Sequence, residues 1–186
     1  MTVAAWVDGN PVTADEVDAR MERLRGRDRA SALPVAGSRE GRQLRRWVTQ
    51  VAVVERLCCA ELESGSATSS VAPDAGPWVG PGLSRAEAAA LGSIVAAAWA
   101  AEPAVAAAAA LVTAGVALTP SERHRAERLA TGADGRPIWS VAQLTASARI
   151  EAFSRWLAAA THTRVRLEAG YEHPGDSAQP DNVHQH

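Results

Sequence analysis

The sequence predicts a mostly α-helical fold: a single domain of about six helices, with a small two-stranded sheet made by the N-terminal and C-terminal segments. Capping boxes recur along the chain, and apolar residues follow them at the spacing of a helix face. The stretches with strand character lie near the two ends. A chain of 186 residues can bury a core without disulfides or a metal. We therefore expect one domain over residues 1–171 and a polar tail over residues 172–186.

The N-terminal residues predict a strand, a turn and the first helix. Val3–Val7 is a short apolar run, and the four residues from Asp8 to Pro11 are typical of a turn. Thr13 and Glu16 then form a capping box that opens a helix. The apolar face of that helix contains Val17, Met21 and Leu24.

A long helix is predicted from Arg39 to about Ser64, after a polar loop. Its apolar positions are Leu44, Trp47, Val48, Val51, Val54, Leu57, Cys58 and Leu62. An apolar face of this width is typical of the central helix of a domain. Residues 64–82, rich in Ser, Pro and Gly, then predict a flexible linker.

Two alanine-rich helices are predicted after the linker. Ser84 and Glu87 form a capping box, and the apolar pattern continues from there through Trp99. Pro103 can occupy the first turn of another helix, which runs to Gly115. Helices rich in alanine can approach their neighbours closely.

Capping boxes also predict the last two helices. Thr119 and Glu122, with Pro120 at the first helical position, predict a helix from about 120 to 130. Ser140 and Gln143 open the final helix. Its apolar positions are Val141, Leu144, Ile150, Phe153 and Leu157.

The segment after the final helix predicts the second strand. Residues 163–168 alternate polar and apolar side chains, which is typical of a half-buried strand. We expect this strand to pair with the N-terminal one.

Composition limits the class of partner. The net charge of −2 and the pI near 6.2 provide no field that attracts nucleic acid or an anionic membrane, so neither is expected as a partner. All 19 basic residues are Arg, which suggests a GC-rich bacterial genome. Cys58 and Cys59 are neighbours on a helix, cannot readily bridge each other, and are expected to be inert core residues. Without a leader or a long apolar span, the sequence predicts a cytoplasmic protein.

Three segments carry a family resemblance. Residues 7–17 read Val-Asp-Gly-Asn-Pro-Val-Thr-Ala-Asp-Glu-Val, residues 115–122 read Gly-Val-Ala-Leu-Thr-Pro-Ser-Glu, and a helix with Phe153 and Trp156 leads into a strand. This order resembles the N-terminal domain of SurA and the parvulin-type chaperones, which enter their first helix through Val-Asn-Gly-x-x-Ile-Thr-x-x-Glu. The resemblance implies a SurA-like helical scaffold. The parvulin isomerase domain of that family is missing, because only ten residues separate the last two predicted helices, so we expect no isomerase of that type.

The tail has a second resemblance. Residues 172–186 read Glu-His-Pro-Gly-Asp-Ser-Ala-Gln-Pro-Asp-Asn-Val-His-Gln-His. This ending resembles that of small actinobacterial proteins that occur with aromatic polyketide gene sets and are often labelled malonyl-CoA:carrier-protein transacylases. That label implies a nucleophilic Ser in Gly-x-Ser-x-Gly. The chain has no such pentapeptide, so the resemblance implies polyketide tailoring without transacylase chemistry.

The tail also gathers side chains that bind metals or transfer protons. The candidate ligands for a divalent zinc or iron ion are Glu172, His173, Asp176, Asp181, His184 and His186. The candidate acid/base catalysts are His173, His184 and His186, because imidazole titrates near neutral pH. A solvated tail without a function is the alternative interpretation.

Two other groups supply candidate substrate-binding residues. Arg123 and His124 lie on one predicted helix and can bind a carboxylate, a phosphate or the surface of a carrier protein, unless they are simply solvated. Trp6, Trp78 and Trp139 lie outside helix interiors, where an indole can line a pocket for a planar ligand. Trp78, among Pro and Gly residues, is the candidate lid.

Two functions follow as hypotheses. The first is a secondary-metabolite tailoring protein, a cyclase or rearrangement enzyme that uses the tail histidines on an aromatic polyketide intermediate. The alternative is a noncatalytic SurA-like chaperone or scaffold that binds polypeptide or a biosynthetic partner. A closed pocket reached by the tail favours the enzyme, whereas an open groove favours the binding protein.

Overall fold

The computed structural model describes residues 1–26, 30–66, 82–129, 141–179 and 181. These residues are mostly helical and carry a small antiparallel sheet from the two ends of the chain, which confirms the predicted fold class. The strands are β1 (Val3–Val7), β2 (Asn10–Thr13) and β3 (Val165–Leu167). The helices are α1 (Ala14–Arg25), α2 (Arg39–Ser66), α3 (Arg85–Leu91), α4 (Ser93–Ala101), α5 (Pro103–Val112), α6 (Pro120–Leu129) and α7 (Val141–Arg164), with a short 3-10 helix at Ala30–Ala32. Most of the predicted linker lies outside the described residues.

The sheet contains one strand more than the sequence pattern predicts. Its order is β2-β1-β3, and both pairings are antiparallel. Asp8 and Gly9 form a two-residue turn with φ values of 50° and 78°, as a type I′ hairpin turn requires. The hairpin lets the residues after the turn pair with β1 as β2. Pro11 lies on this edge strand, where the missing N–H is tolerated.

The described residues fall into two compact units. Unit 1 comprises those of Met1–Leu57 and Ala160–His186, and unit 2 comprises those of Cys58–Ala159. The core of unit 1 takes buried side chains from both strands of the hairpin and from the predicted apolar faces of α1 and α2, together with Ala52 and Val53 of α2, which lie outside the predicted face. These residues are Ala4, Ala5, Val7, Val12, Val17, Met21, Val48, Val51, Ala52, Val53, Val54 and Leu57.

Ion pairs join α1 to α2 within unit 1. Arg20 Nη1 lies 2.6 Å from the buried carboxylate of Glu55, and Arg56 Nη2 lies 3.1 Å from Glu16. A buried carboxylate is costly unless a cation accompanies it. The pairing of Glu55 with Arg20 therefore fixes how these two helices lie against each other.

Unit 2 has an aromatic and alanine-rich core. Phe153 is fully buried, with the Trp99 ring edge-on at 5.9 Å and the Trp156 ring stacked at 5.6 Å. Ala98, Val105, Ala108 and Ala109 are also buried. A Cβ added at Gly65 would lie 2.7 Å from Leu111 Cδ2. Small side chains thus allow the close approach that the alanine-rich sequence predicts.

The helix predicted from Ser84 through Trp99 is two helices in the structure. Gly92 has φ +82° and ψ 162°, so α3 ends before it and α4 begins after it. This conformation is open to glycine and strained for other residues. The apolar pattern continues across the break, which is why it predicts one continuous helix. Two other bounds differ from the prediction. Helix α5 ends at Val112 rather than at Gly115, and α7 continues to Arg164, so that the last strand is shorter than predicted.

The capping boxes largely form as predicted. Ser84 and Glu87 exchange both hydrogen bonds, and so do Thr119 and Glu122. The hydrogen bonds from Thr119 hold the pKa of Glu122 below its ordinary value. Thr13 accepts from the Glu16 N–H at 3.1 Å, but the Glu16 carboxylate instead binds arginines. Ser140 lies outside the described residues.

Among the described helices, no single one is long and apolar enough to cross a membrane. α4 and α5 meet the length and hydropathy needed only when taken together, and a 112° bend separates them.

Candidate functional site

The C-terminal tail is attached to α2 by a pair of arginines. Asp181 Oδ2 accepts from Arg46 Nη1 at 2.6 Å, and the two oxygens of Asp181 accept from Arg42 Nε at 3.1 Å and Nη2 at 2.5 Å. Arg42 and Arg46 lie one helical turn apart, so both side chains reach the same carboxylate. Asp181 and Arg46 are buried. The hydrogen bonds from Arg42, and then those from Arg46, hold the pKa of Asp181 well below its ordinary value.

The start of the tail is held by the same face of α2. Arg46 Nε donates to the Gly170 carbonyl and Gln50 Nε2 donates to the Tyr171 carbonyl, each at 3.2 Å. Glu172 turns back and accepts from the Gly170 N–H at 2.9 Å. Burial raises the pKa of Glu172, but the hydrogen bonds it accepts and the charge of Arg46 outweigh burial and leave that pKa lowered. These contacts make residues 170–172 part of unit 1.

The structure does not gather the predicted metal ligands and catalysts that it describes. His173 is exposed, and its Nδ1 accepts from the Gly175 N–H at 3.0 Å. Asp176 accepts from the Ala178 N–H at 2.9 Å, while Asp181 faces arginines. In the described part of the chain no three His, Cys, Asp or Glu side chains are placed to hold a metal ion. His184 and His186 lie outside the described residues.

The predicted substrate-binding residues are also dispersed. Arg123 and His124 are exposed on α6. Trp78 and Trp139 lie outside the described residues. Cys58 is buried, in keeping with a core role.

A recess of about 380 Å³ opens beside the sheet in unit 1. It is lined by Trp6, Gly9, Thr163, Arg164, Val165 and Arg166. The Arg166 guanidinium lies 5.4 Å above the Trp6 ring, and Trp6 Nε1 donates to Glu168 at 2.8 Å. The tryptophan is thereby held by a charged group on one face and a carboxylate at its edge. Trp6 is the one predicted pocket tryptophan that the structure describes, and it does line a recess.

The arginines around this recess are paired with carboxylates. Arg164 binds both oxygens of Asp8 at 2.7 to 3.2 Å, and Arg166 lies 2.6 Å from Glu168. The hydrogen bond from Arg164 lowers the pKa of Asp8. The two arginines and two carboxylates together add no net charge to the recess. The recess therefore has no strong electrostatic preference for an anionic ligand.

Strand β3 borders the recess and is an edge strand among the described residues. The backbone N–H of Asp8 donates to the Arg164 carbonyl at 2.9 Å, and the backbone N–H of Glu168 donates to the Ala4 carbonyl at 3.0 Å. Because the hydrogen-bonded pairs alternate along an antiparallel ladder, the N–H and C=O of Leu167 point away from β1. An outward donor and acceptor at a sheet edge can pair with an added strand.

Sequence reasoning missed both arginine arrangements. Arg42 and Arg46 lie four positions apart on a predicted helix, which is a signal for a shared partner. The identity of that partner, 135 residues away, has no signal in the sequence. Arg164 and Arg166 belong to the alternating segment, but their polar positions indicate only a solvated strand face.

A family model described as a family of unknown function (DUF7158) matches residues 3–40. The matched stretch contains β1, β2 and α1 and ends at the start of α2. No curated protein and no solved structure matches the chain.

Proposed function

We propose that this chain is a noncatalytic binding protein that holds an extended polypeptide segment of a partner along β3. The observation that carries the proposal is the open recess beside an edge strand whose Leu167 N–H and C=O point outward. Strand addition uses these two features together: the backbone supplies affinity, and pockets beside the edge select alternate side chains. The partner class agrees with the polypeptide-binding scaffold that the SurA-like resemblance implies.

The recess suits one side chain of such a segment. Its wall is the Trp6 ring, whose orientation Glu168 and Arg166 support through a hydrogen bond and a cation–π contact. A preformed aromatic wall loses little entropy when it binds. Since the flanking charges are balanced, an apolar or aromatic side chain is favoured over an acidic one.

The test uses a phage library of random dodecapeptides selected on the full chain, with the enriched peptides synthesised and titrated into ¹⁵N-labelled protein. We expect shifts at the Leu167 amide and the Trp6 indole N–H. Thr163→Trp fills the recess and should weaken binding by about tenfold or more. His162→Trp adds the same ring at the exposed neighbouring position, which does not line the recess, and serves as the matched control.

A second variant tests the strand edge. Leu167→Pro removes the outward N–H but leaves the β1 pairing of Arg166 and Glu168 in place, as an edge position permits. Binding should fall as it does for Thr163→Trp. The proposal fails if no peptide is enriched, or if the enriched peptides bind Thr163→Trp and the wild-type chain equally.

A second candidate function is the tailoring of an aromatic polyketide, with a site made by the tail. The observation that favours it is the attachment of the tail to α2 as far as Asp181, since a tail site requires a docked tail. The described tail donors do not fit a metal, so this candidate relies on histidine acid/base chemistry.

Shortening the chain after Asn182 removes His184 and His186 but keeps Asp181. The probe is 1,8-dihydroxyanthraquinone, a planar aromatic of this class, with binding followed by tryptophan quenching. Loss of binding on shortening, or in His173→Gln, supports the tail site. Binding that survives both changes, or no binding by the wild-type chain, removes it. Zinc and iron analysis of the full and shortened chains tests the predicted metal separately.

A further inference from the structure

Few of the described residues of the docked tail are buried. No residue from His173 to Ala178 is buried, and the buried tail residues beyond that stretch are Gln179 and Asp181 among those described. Segments with few buried contacts open at low free energy while the rest of a domain stays folded. The buried Asp181, through its bonds to Arg42 and Arg46, therefore attaches this part of the tail to α2, beside the hydrogen bond of the Gln179 side chain to Glu172.

The arginines need an anion when Asp181 leaves. Arg46 has a side chain only 7% exposed, and its nearest other carboxylate, Glu172, is 3.9 Å away and already accepts from the Gly170 N–H. Without Asp181, two guanidinium groups one turn apart lose the counterion that they share, and their like charges favour another anion in its place. Arg42 lies one turn away on α2. Its Nη1 donates to the Gly37 carbonyl, and its Nε donates to the same Asp181 oxygen that Arg46 binds.

The geometry of the pair matches an oxyanion. Asp181 is bound through both oxygens, one shared by Arg42 and Arg46 and the other held by Arg42 alone. Guanidinium groups bind planar carboxylates and tetrahedral phosphates in this forked manner. This site lies on α2 and shares no residue with the recess beside β3.

We propose that Arg42 and Arg46 form an oxyanion-binding site that Asp181 occupies as an internal ligand, and that an external phosphate or carboxylate takes its place and releases the tail. The site acts as a switch: either Asp181 or the external anion fills it. The proposal is independent of polypeptide binding along β3, because it predicts an anion dependence that the recess does not.

The experiment measures inorganic phosphate binding to the full chain by calorimetry, at an ionic strength kept constant with chloride. Asp181→Asn removes the internal charge, so phosphate should bind about tenfold or more tightly to this variant than to the wild-type chain. Asp18→Asn is the matched control, because it breaks the exposed pair of Asp18 with Arg45 on the same helix. It should leave phosphate binding at the wild-type level.

Hydrogen exchange reports the release of the tail. In the wild-type chain, phosphate should speed amide exchange over residues 172–179, and sodium acetate in a parallel titration identifies whether carboxylates do the same. An effect of phosphate alone, or of acetate alone, assigns the class of oxyanion. If neither anion speeds exchange and Asp181→Asn binds phosphate no better than Asp18→Asn, the proposal is wrong.

A further variant covers the case in which Asp181→Asn does not fold. Arg42→Gln keeps the buried pair of Arg46 with Asp181 but removes half of the site. It should speed tail exchange without any added anion and abolish the response to phosphate. A response to phosphate as large as that of the wild-type chain contradicts the site.

Discussion

Unit 1 and unit 2 are stabilised in different ways. In unit 1, charged side chains connect segments far apart in sequence: Asp8 with Arg164, Arg20 with Glu55, and Arg46 with Asp181. In unit 2, rings and small apolar side chains pack around Phe153, and Arg149 Nε donates to the Val116 carbonyl at 3.5 Å. Changes of pH and of anion concentration should therefore act on the tail of unit 1 and leave the core of unit 2 unaffected. Apolar burial does not respond to protonation, whereas an ion pair at the end of a tail does.

The largest expected effect tests the core of unit 2. Phe153→Ala removes a fully buried ring and its two aromatic neighbours' contacts, and should lower the free energy of unfolding by about 3–5 kcal/mol. Urea unfolding followed by tryptophan fluorescence measures it. Glu151→Gln, at an exposed position of the same helix, should change stability by less than about 0.5 kcal/mol. Equal losses in the two variants would contradict an aromatic core.

Gly92 tests the backbone break in the same unit. Gly92→Ala places a Cβ on a residue with φ +82°. The resulting backbone strain should lower the free energy of unfolding by about 1–3 kcal/mol. Gly115→Ala is the matched control, since Gly115 has no positive φ and no atom within 4 Å of an added Cβ. If Gly92→Ala stabilises the chain, α3 and α4 join into the single helix that the apolar pattern predicts. Helical circular dichroism together with urea unfolding distinguishes the two outcomes.

A smaller effect tests a local contact. Ser84 accepts from the Glu87 N–H and completes the capping box of α3. Ser84→Ala should lower the stability of helix α3 by about 1 kcal/mol. Ser84→Asp should restore most of that stability, since Asp is an equally good N-cap. Hydrogen exchange of the α3 amides measures the change. Unchanged exchange in Ser84→Ala would show that the cap contributes nothing to this helix.

The smallest effect at neutral pH concerns the tail of unit 1. The folded state lowers the pKa of Asp181, so its contribution to docking is complete above the ordinary value near 3.8 and is lost as the pH falls below that value. Glu172, next to Arg46, also has a lowered pKa. The difference in tail exchange between the wild-type chain and Asp181→Asn should therefore be constant from about pH 5 to 8 and shrink below about pH 4. A difference that changes between pH 6 and 7 would point to another titrating group.

Much of the fold is predictable from local signals. The capping boxes at Ser84 and Thr119 begin helices where the sequence predicts them, and Val17 and Met21 are buried on the predicted face of α1. These features depend on residues three or four positions apart, so a short stretch of sequence contains all the information. The residues of the two candidate sites are less predictable. Among them, the sequence indicates Trp6 as a pocket residue and Asp181 as a metal ligand.

The class of fold, the faces of the helices and the strands at the two ends follow from the sequence alone, because side-chain periodicity and capping are local properties. The contacts of Asp181 with Arg42 and Arg46, and of Trp6 with Arg166, depend instead on the folding of the whole chain. Either contact joins residues more than 130 positions apart. A carboxylate in a polar tail has the same sequence pattern whether it binds a metal, an arginine or water. Its role depends on which charges the folded chain brings within hydrogen-bonding distance, and here those charges are two guanidinium groups.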